Sequence, residues 1–336
     1  MIYTVGNTSL ISDYSECSME YVAEYCASKL VLGVDTETEG LDFTCKKMIM
    51  FQIGDEETQF VIDTRVVSIE PLRDVLESKE IVKIFHNAKF DYKFIKKWGD
   101  IDCEGIYDTF LTEIVITCGK KSGYGLKDLC KRYLNVELNK DVRNQFIGLT
   151  GQPFKSDQIL YGAKDVEYLC KIKELQQPTI DKYKLQNVVD LENQAVKAFA
   201  DIEYNGLDLD IEGWSKIEAM NTINADELAV SLDLMVKDDK RLDRFVAKYL
   251  QSDMFTPVEE LRDIDIKWTS PKQVLNVFKT FIPKLDNVNG KDMYKYRFRF
   301  PLIDKYVKYK EAMKLCTSYG DAFFKNLAGD NKIHTN

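Results

Sequence analysis

The chain has 336 residues, of which 45% are hydrophobic, 12% aromatic and 30% charged, a composition that excludes the disordered and fibrous classes and fits two globular domains with separate cores. No apolar run approaches the ~20 residues that a membrane span needs, and the N-terminal sequence has no signal-peptide pattern. We therefore expect a cytoplasmic protein with no membrane partner.

The charge distribution is uneven. The net charge is −9, which argues at first sight against a nucleic-acid partner, because phosphate contacts normally come from Lys and Arg. Residues 267–336, however, carry 14 basic and 6 acidic residues, whereas residues 187–266 carry 8 basic and 19 acidic ones. This asymmetry suggests nucleic-acid contact by the C-terminal part. A solvated, lysine-rich helix face is the alternative.

The first half of the chain shows the pattern of an α/β layer structure with a mixed sheet. Short apolar or β-branched runs predict strands over residues 31–36, 47–54, 59–64 and 81–86. Apolar positions at helical spacing predict helices over residues 18–29, 69–78, 88–98, 107–118, 125–134 and 156–175.

The second half is predicted to be mainly helical. An amphipathic stretch runs from Leu185 to about Tyr204, and further helical patterns cover residues 212–251, 271–281 and 301–326. Because Pro178 follows the last helix predicted for the α/β part, we place the boundary there, with domains at residues 1–180 and 181–336.

Acidic residues follow predicted strands at two places. Asp35 and Glu37 lie at the end of the first predicted strand, two residues apart, and so project from the same face. Two adjacent carboxylates repel each other and are stable at neutral pH only if a cation neutralises them. Asp91 follows the fourth predicted strand, in the first turns of a helix, where negative charge is favoured.

Two further segments add polar side chains. Tyr161 and Asp165 are four residues apart and lie on one face of a predicted helix. Asp108 and Thr109 open another helix, where capping is the expected role. Taken singly, each of these residues fits an ordinary structural role as well as a functional one.

In order and spacing, the segments DTETEGLD, HNAKFD and YGAKD together match three exonuclease motifs. Over roughly residues 20–175 the chain resembles the 3′-5′ exonuclease domain of family A DNA polymerases, within the exonucleases that carry four acidic residues and a tyrosine. The resemblance implies a ribonuclease-H-like (DnaQ-like) α/β fold, and the cytoplasmic location expected above would fit a bacterial or phage-infected cell.

The resemblance also implies roles for individual residues. Asp35, Glu37 and Asp165 would hold one Mg²⁺ or Mn²⁺ ion, and Asp35 would bridge to a second ion that Asp91 supports through water. The Tyr161 hydroxyl would orient the attacking water. Leu41 and Asn87 would contact the terminal nucleotide, Asp108 and Thr109 would be supportive, and His86 would not act as a base.

Past the exonuclease motifs the resemblance is to the thumb of the same polymerases. It rests on LENQAVKAFADIEYNGLDLD, IDIKWTSPKQVLNVF and LIDKYVKYKEAMKLCTSYGDAFFKNL. Lys291, Arg297 and Lys305 would then contact phosphates of primer–template DNA without reading sequence. Single-stranded DNA would be the partner of the exonuclease part.

In the family, a segment like KIHTN leads into the palm and fingers. Because this sequence stops at Asn336, we expect no polymerase activity from the chain alone. Either a separate palm-and-fingers polypeptide is its partner or the sequence is a piece of a longer polymerase. The expected function is proofreading by a metal-dependent 3′-5′ exonuclease. The alternatives are a free-standing exonuclease of the ribonuclease D type that trims RNA, and a non-catalytic DNA-binding subunit.

Overall fold

The computed structural model describes residues 1–6, 14–138, 142, 145–149, 151–246 and 264–335. The chain divides into two compact units, one formed by Met1–Leu207 with Ala328–Asn336 and the other by Asp208–Leu327. In the described part of the chain, no helix is long and apolar enough to cross a membrane.

A mixed sheet forms the centre of the first unit. Within the described residues its strands are β1 (Ile2–Val5), β2 (Ser15–Glu16), β3 (Val31–Thr38), β4 (Met48–Gly54), β5 (Gln59–Asp63), β6 (Val82–Phe85) and β7 (Ile106–Asp108), in the spatial order β2-β1-β5-β4-β3-β6-β7. β3 is antiparallel to β4 and parallel to β6. The four strands predicted from sequence, β3 to β6, are confirmed; β1, β2 and β7 were not predicted, because two to four residues are too few to show a period of two.

Helices cover the sheet on both faces. In chain order they are α1 (Met19–Ala27), α2 (Arg73–Leu76), α3 (Ala88–Gly99), α4 (Thr109–Thr117), α5 (Leu126–Leu129), α6 (Ser156–Tyr183) and α7 (Gln186–Asn205). A 3-10 turn, Glu70–Leu72, precedes α2, and a π-helical turn, Cys130–Leu134, follows α5. The predicted start of a helix at residue 107 is wrong, because residues 106–108 pair with β6 before α4 begins.

The boundary predicted at residue 180 falls inside the first unit. α6 continues through Pro178 to Tyr183, although a proline inside a helix removes one backbone hydrogen bond. Gln176 and Ile180, on either side of the proline, are fully buried, and this burial holds the helix together. The first unit therefore extends to Leu207.

Ion pairs fix α7 to α3 and explain why it belongs to the first unit. Lys93 of α3 donates to Glu203 of α7 at 2.7 Å, and Lys89 pairs with the same carboxylate. Lys96 of α3 lies 2.6 Å from Asp201. α7 ends at Asn205, and the next residue, Gly206, has a φ of +61°, which glycine adopts readily. The strands β8 (Leu207–Asp208) and β9 (Lys332–Ile333) form a separate two-stranded sheet.

The second unit is helical, as predicted. Its described helices are α8 (Ile211–Asp238), α9 (Pro271–Phe278), α10 (Gly290–Tyr296), α11 (Pro301–Tyr319) and α12 (Asp321–Phe324), with a 3-10 turn at Lys240–Phe245. Its core contains Leu232, Trp268, Phe278 and Tyr306. Residues 247–251, the end of one predicted helix, lie outside the described residues.

Candidate active site

The site begins on β3, the strand next to the centre of the sheet. Asp35 and Glu37 alternate along it and project from one face, as predicted. Their partners in the antiparallel register with β4 are Gln52 and Met50. Glu37 is only 7% exposed and Asp35 is half-buried. The pair therefore sits at an edge of the core, where carboxylates are poorly solvated.

Two glycines let α6 pack closely on this face. A Cβ built on Gly33 of β3 would lie 2.7 Å from the carbonyl oxygen of Val166. A Cβ built on Gly162 of α6 would lie 2.6 Å from Nε2 of Gln52. Both distances are shorter than real Cβ contacts, so α6 can lie this close to β3 and to the Gln52 side chain only because neither glycine has a side chain.

This packing brings a third carboxylate to the pair. Asp165 of α6 is 4% exposed, and one carboxylate oxygen from each of Asp35, Glu37 and Asp165 lies within 4.8 Å of the others. Such a set of hard oxygen donors suits Mg²⁺ or Mn²⁺ and not a soft metal. The residues present therefore fit a divalent cation.

Asp91 adds a fourth carboxylate from α3. It is 3% exposed, and its Oδ1 accepts a hydrogen bond of 2.6 Å from the Thr36 hydroxyl. Burial raises the pKa of Asp91 well above its usual range, and the nearby charge of Asp35 raises it further. A bound cation would offset both effects. The four acidic residues predicted from sequence thus lie in one region of the first unit.

The titration of Asp91 gives a testable pH dependence. The pKa of Asp91 is raised in the folded state. Asp91 therefore stabilises the fold fully only below the ordinary pKa of aspartate, and this stabilisation is lost as the pH rises through the folded-state pKa. In EDTA, we expect the free energy of unfolding of the wild type, relative to Asp91→Asn, to fall as the pH rises above about 4, the ordinary pKa of aspartate. Denaturant titrations at several pH values measure it, and parallel profiles for the two proteins would contradict it.

Tyr161 lies one helical turn before Asp165, on the same helix. It is half-buried, and its ring centroid lies 6.3 Å from that of Phe146. Leu41, in the loop after β3, is 79% exposed. Asn87 is exposed in a left-handed conformation at the start of α3, with a φ of +68°. The roles predicted for Tyr161, Leu41 and Asn87 stay predictions.

Asp108 caps α4, as predicted, and also fixes the start of α3. Its carboxylate accepts from the backbone N–H of Phe110 at 2.9 Å. It also accepts from the N–H groups of Asn87 at 3.0 Å and Ala88 at 2.9 Å. This second role could not be predicted from the sequence, because nothing in the spacing of the two segments shows that the ends of β6 and β7 are neighbours. Asp108 therefore helps to place Asp91.

His86 is held next to α4. Its Nδ1 lies 2.9 Å from the hydroxyl of Thr109, which donates to the carbonyl of Phe85 at 3.0 Å. Burial lowers the pKa of His86 to about 4, so the ring is neutral at pH 7. The supportive role predicted for Thr109 stays a prediction.

In the second unit, the basic residues predicted to bind phosphate differ in their partners. The Arg297 Nε lies 2.8 Å from Asp304, and its guanidinium lies over the ring of Tyr294. Lys291 and Lys305 form no ion pair with any residue that the structure describes. A phosphate would have to compete with Asp304 for the guanidinium of Arg297. The phosphate-binding role of all three stays a prediction.

Comparison with known proteins extends these observations. DNA polymerase I of Aquifex aeolicus is 27% identical over 237 residues, a match that covers 65% of this chain and 37% of the polymerase. Ribonuclease D of Bartonella henselae is 25% identical over 159 residues, covering 47% of this chain and 38% of the ribonuclease. The chain therefore matches well under two thirds of the length of either relative.

A solved structure resembles nearly the whole chain. The POL domain of Pol1 from M. smegmatis, in complex with DNA primer-template and dNTP, has a TM-score of 0.62 at 16% identity, covering 95% of this chain and 51% of that one.

The sheet, the acidic cluster and the family match agree on one architecture. The chain has a ribonuclease-H-like (DnaQ-like) exonuclease fold with a mixed sheet, followed by a helical region. Residues 11–180 match the 3′-5′ exonuclease family. By this match over half of its length, the chain belongs to the 3′-5′ exonuclease family.

Proposed function

We propose that the chain is the metal-dependent proofreading portion of a family A DNA polymerase, acting on single-stranded or mismatched DNA 3′ ends. One observation carries the polymerase part of this proposal. The likeness to DNA polymerase I covers 65% of the chain and the likeness of fold to a polymerase domain covers 95%, whereas ribonuclease D matches 47%. The helical unit thus has a counterpart in polymerases.

The chemistry follows from the acidic cluster. Asp35, Glu37 and Asp165 would hold a Mg²⁺ or Mn²⁺ ion, and Asp91 would support a second ion. When bound, a pair of such ions supplies an activated water and stabilises the departing 3′-oxygen of the cleaved bond. The carboxylates keep their fixed positions because β3, α3 and α6 are regular elements of the core.

Other residues of the chain handle the water and the nucleotide. Tyr161 would orient the attacking water through its hydroxyl, since it lies one turn from Asp165. The exposed Leu41 would pack against the terminal base, and Asn87 would contact the same nucleotide. Asp108 fixes the backbone of Asn87. The expected palm-and-fingers polypeptide stays a prediction.

Exonucleolytic trimming of RNA is the second candidate. The match to ribonuclease D is of similar identity to the polymerase match, 25% against 27%. The acidic cluster by itself does not choose between the two substrates, because both offer the same phosphodiester to the same metal ligands.

Cleavage rates on pairs of substrates that differ in one property test the proposal. We expect a single-stranded DNA to be degraded faster than an RNA of the same sequence. We also expect a mismatched primer terminus to be degraded faster than a paired one. The reason for the second difference is that unpairing an end costs a few kcal/mol. Initial rates on 5′-labelled substrates measure both comparisons. Faster degradation of RNA would favour the second candidate, and equal rates on paired and mismatched termini would count against proofreading.

A further inference from the structure

Gln52 of β4 is a buried polar side chain that forms no hydrogen bond with any residue the structure describes. It is 0% exposed, and within the described residues neither its amide nitrogen nor its amide oxygen has a partner. Leaving a buried carboxamide unpaired costs free energy, so native proteins rarely keep such a group without a reason.

The other buried glutamines of the described chain all have partners. Gln176 donates to the carbonyl of Thr109 at 3.0 Å and accepts from the Tyr107 hydroxyl at 3.2 Å. Gln158 accepts from a backbone N–H at 2.9 Å, and Gln59 donates to a backbone carbonyl at 2.6 Å. Gln52 therefore differs from the other buried glutamines of the described chain, whose carboxamides are hydrogen-bonded.

The position of Gln52 connects it to the acidic cluster. It is the direct cross-strand partner of Asp35, and directly opposed residues of antiparallel strands point to the same face with Cβ atoms about 5 Å apart. On that face its side chain lies against Gly162, between Tyr161 and Asp165 in the sequence of α6. Gln52 is thus enclosed by the strand and the helix that carry the candidate metal ligands.

We propose that Gln52 is a positioning residue of the metal centre, whose carboxamide oxygen accepts a hydrogen bond from a water ligand of the cation held by Asp35. A water bound to a cation through its oxygen has two hydrogen atoms to donate, and the carboxamide oxygen is an acceptor for which the described residues supply no donor. Groups that hold the outer ligands of a metal in this way tune its affinity. This inference rests on the metal-dependent function proposed above.

The variant Gln52→Met tests it by removing the carboxamide while nearly keeping the length of the side chain. In EDTA we expect a melting temperature equal to or above that of the wild type, because no hydrogen bond is lost and no carboxamide is buried. We expect the affinity for Mn²⁺, measured by electron paramagnetic resonance of the free ion, to fall about 10-fold. Gln52→Leu should behave in the same way and serves if the first variant does not fold.

The matched control is Gln176→Met, which removes a buried carboxamide that has partners. It should lower the melting temperature and leave the Mn²⁺ affinity unchanged. If Gln52→Met or Gln52→Leu folds and binds Mn²⁺ like the wild type, the inference is wrong, even if the wild type is an active exonuclease. If the Gln52 variants lose Mn²⁺ affinity but the wild type cleaves no nucleic acid, the inference is supported and the proposed function is rejected.

Discussion

Replacing Asp35 and Glu37 together with alanine is expected to slow the metal-dependent release of nucleotides by at least about 10³-fold. Both residues contribute an oxygen to the three-carboxylate cluster, so the remaining Asp165 would bind a cation poorly. The fold should persist in EDTA, because removing two adjacent carboxylates relieves their repulsion. Release of mononucleotides from a 3′-labelled single strand and circular dichroism measure the two effects.

The control for this double variant is Glu20→Ala combined with Glu24→Ala. Both glutamates are exposed on α1, so the control changes the net charge by the same amount away from the acidic cluster. It should cleave at the wild-type rate. Undiminished cleavage by the Asp35 and Glu37 variant would remove the cluster from the mechanism.

Tyr161→Phe is expected to lower kcat by about 10²-fold with little change in KM. The substitution removes only the hydroxyl that would orient the water, and the ring can keep its packing near Phe146. Binding of Mn²⁺ should be retained, because no carboxylate is changed. Steady-state kinetics on single-stranded DNA measure kcat and KM.

Tyr168→Phe is the matched control for the tyrosine. Tyr168 lies on the same helix, α6, and packs with Leu129 and Ile172 in a separate part of the core. Its substitution should leave kcat unchanged. Wild-type kcat in Tyr161→Phe would exclude the hydroxyl from the reaction.

The parts of the site that are local in sequence could be predicted. The alternation of Asp35 and Glu37 fixes their common face because the side-chain period of a strand is two. The spacing of Tyr161 and Asp165 places both side chains on one face of the helix, because residues four apart are neighbours on a helix surface. Asp91 was placed correctly in the first turn of α3.

The parts that depend on tertiary packing could not be predicted. Pro178 is a strong signal for the end of a helix, and we placed the domain boundary there for that reason. The helix nevertheless continues through Pro178, because the burial of Gln176 and Ile180 outweighs the lost hydrogen bond. Gln52 carries no sequence signal, since its importance comes from its register with Asp35 and from the lack of a hydrogen-bond partner among the described residues. The pairing of Arg297 with Asp304 likewise follows only from the folded helices.

The cleavage pattern of a single strand of DNA labelled at its 5′ end reveals the direction and the metal dependence of the reaction. With Mg²⁺ or Mn²⁺ present, we predict a ladder of products that shorten one nucleotide at a time from the 3′ end, and no products when EDTA removes the cation. Internal cuts, shortening from the 5′ end, or equal cleavage in EDTA would contradict a 3′-5′ exonuclease built on Asp35, Glu37 and Asp165.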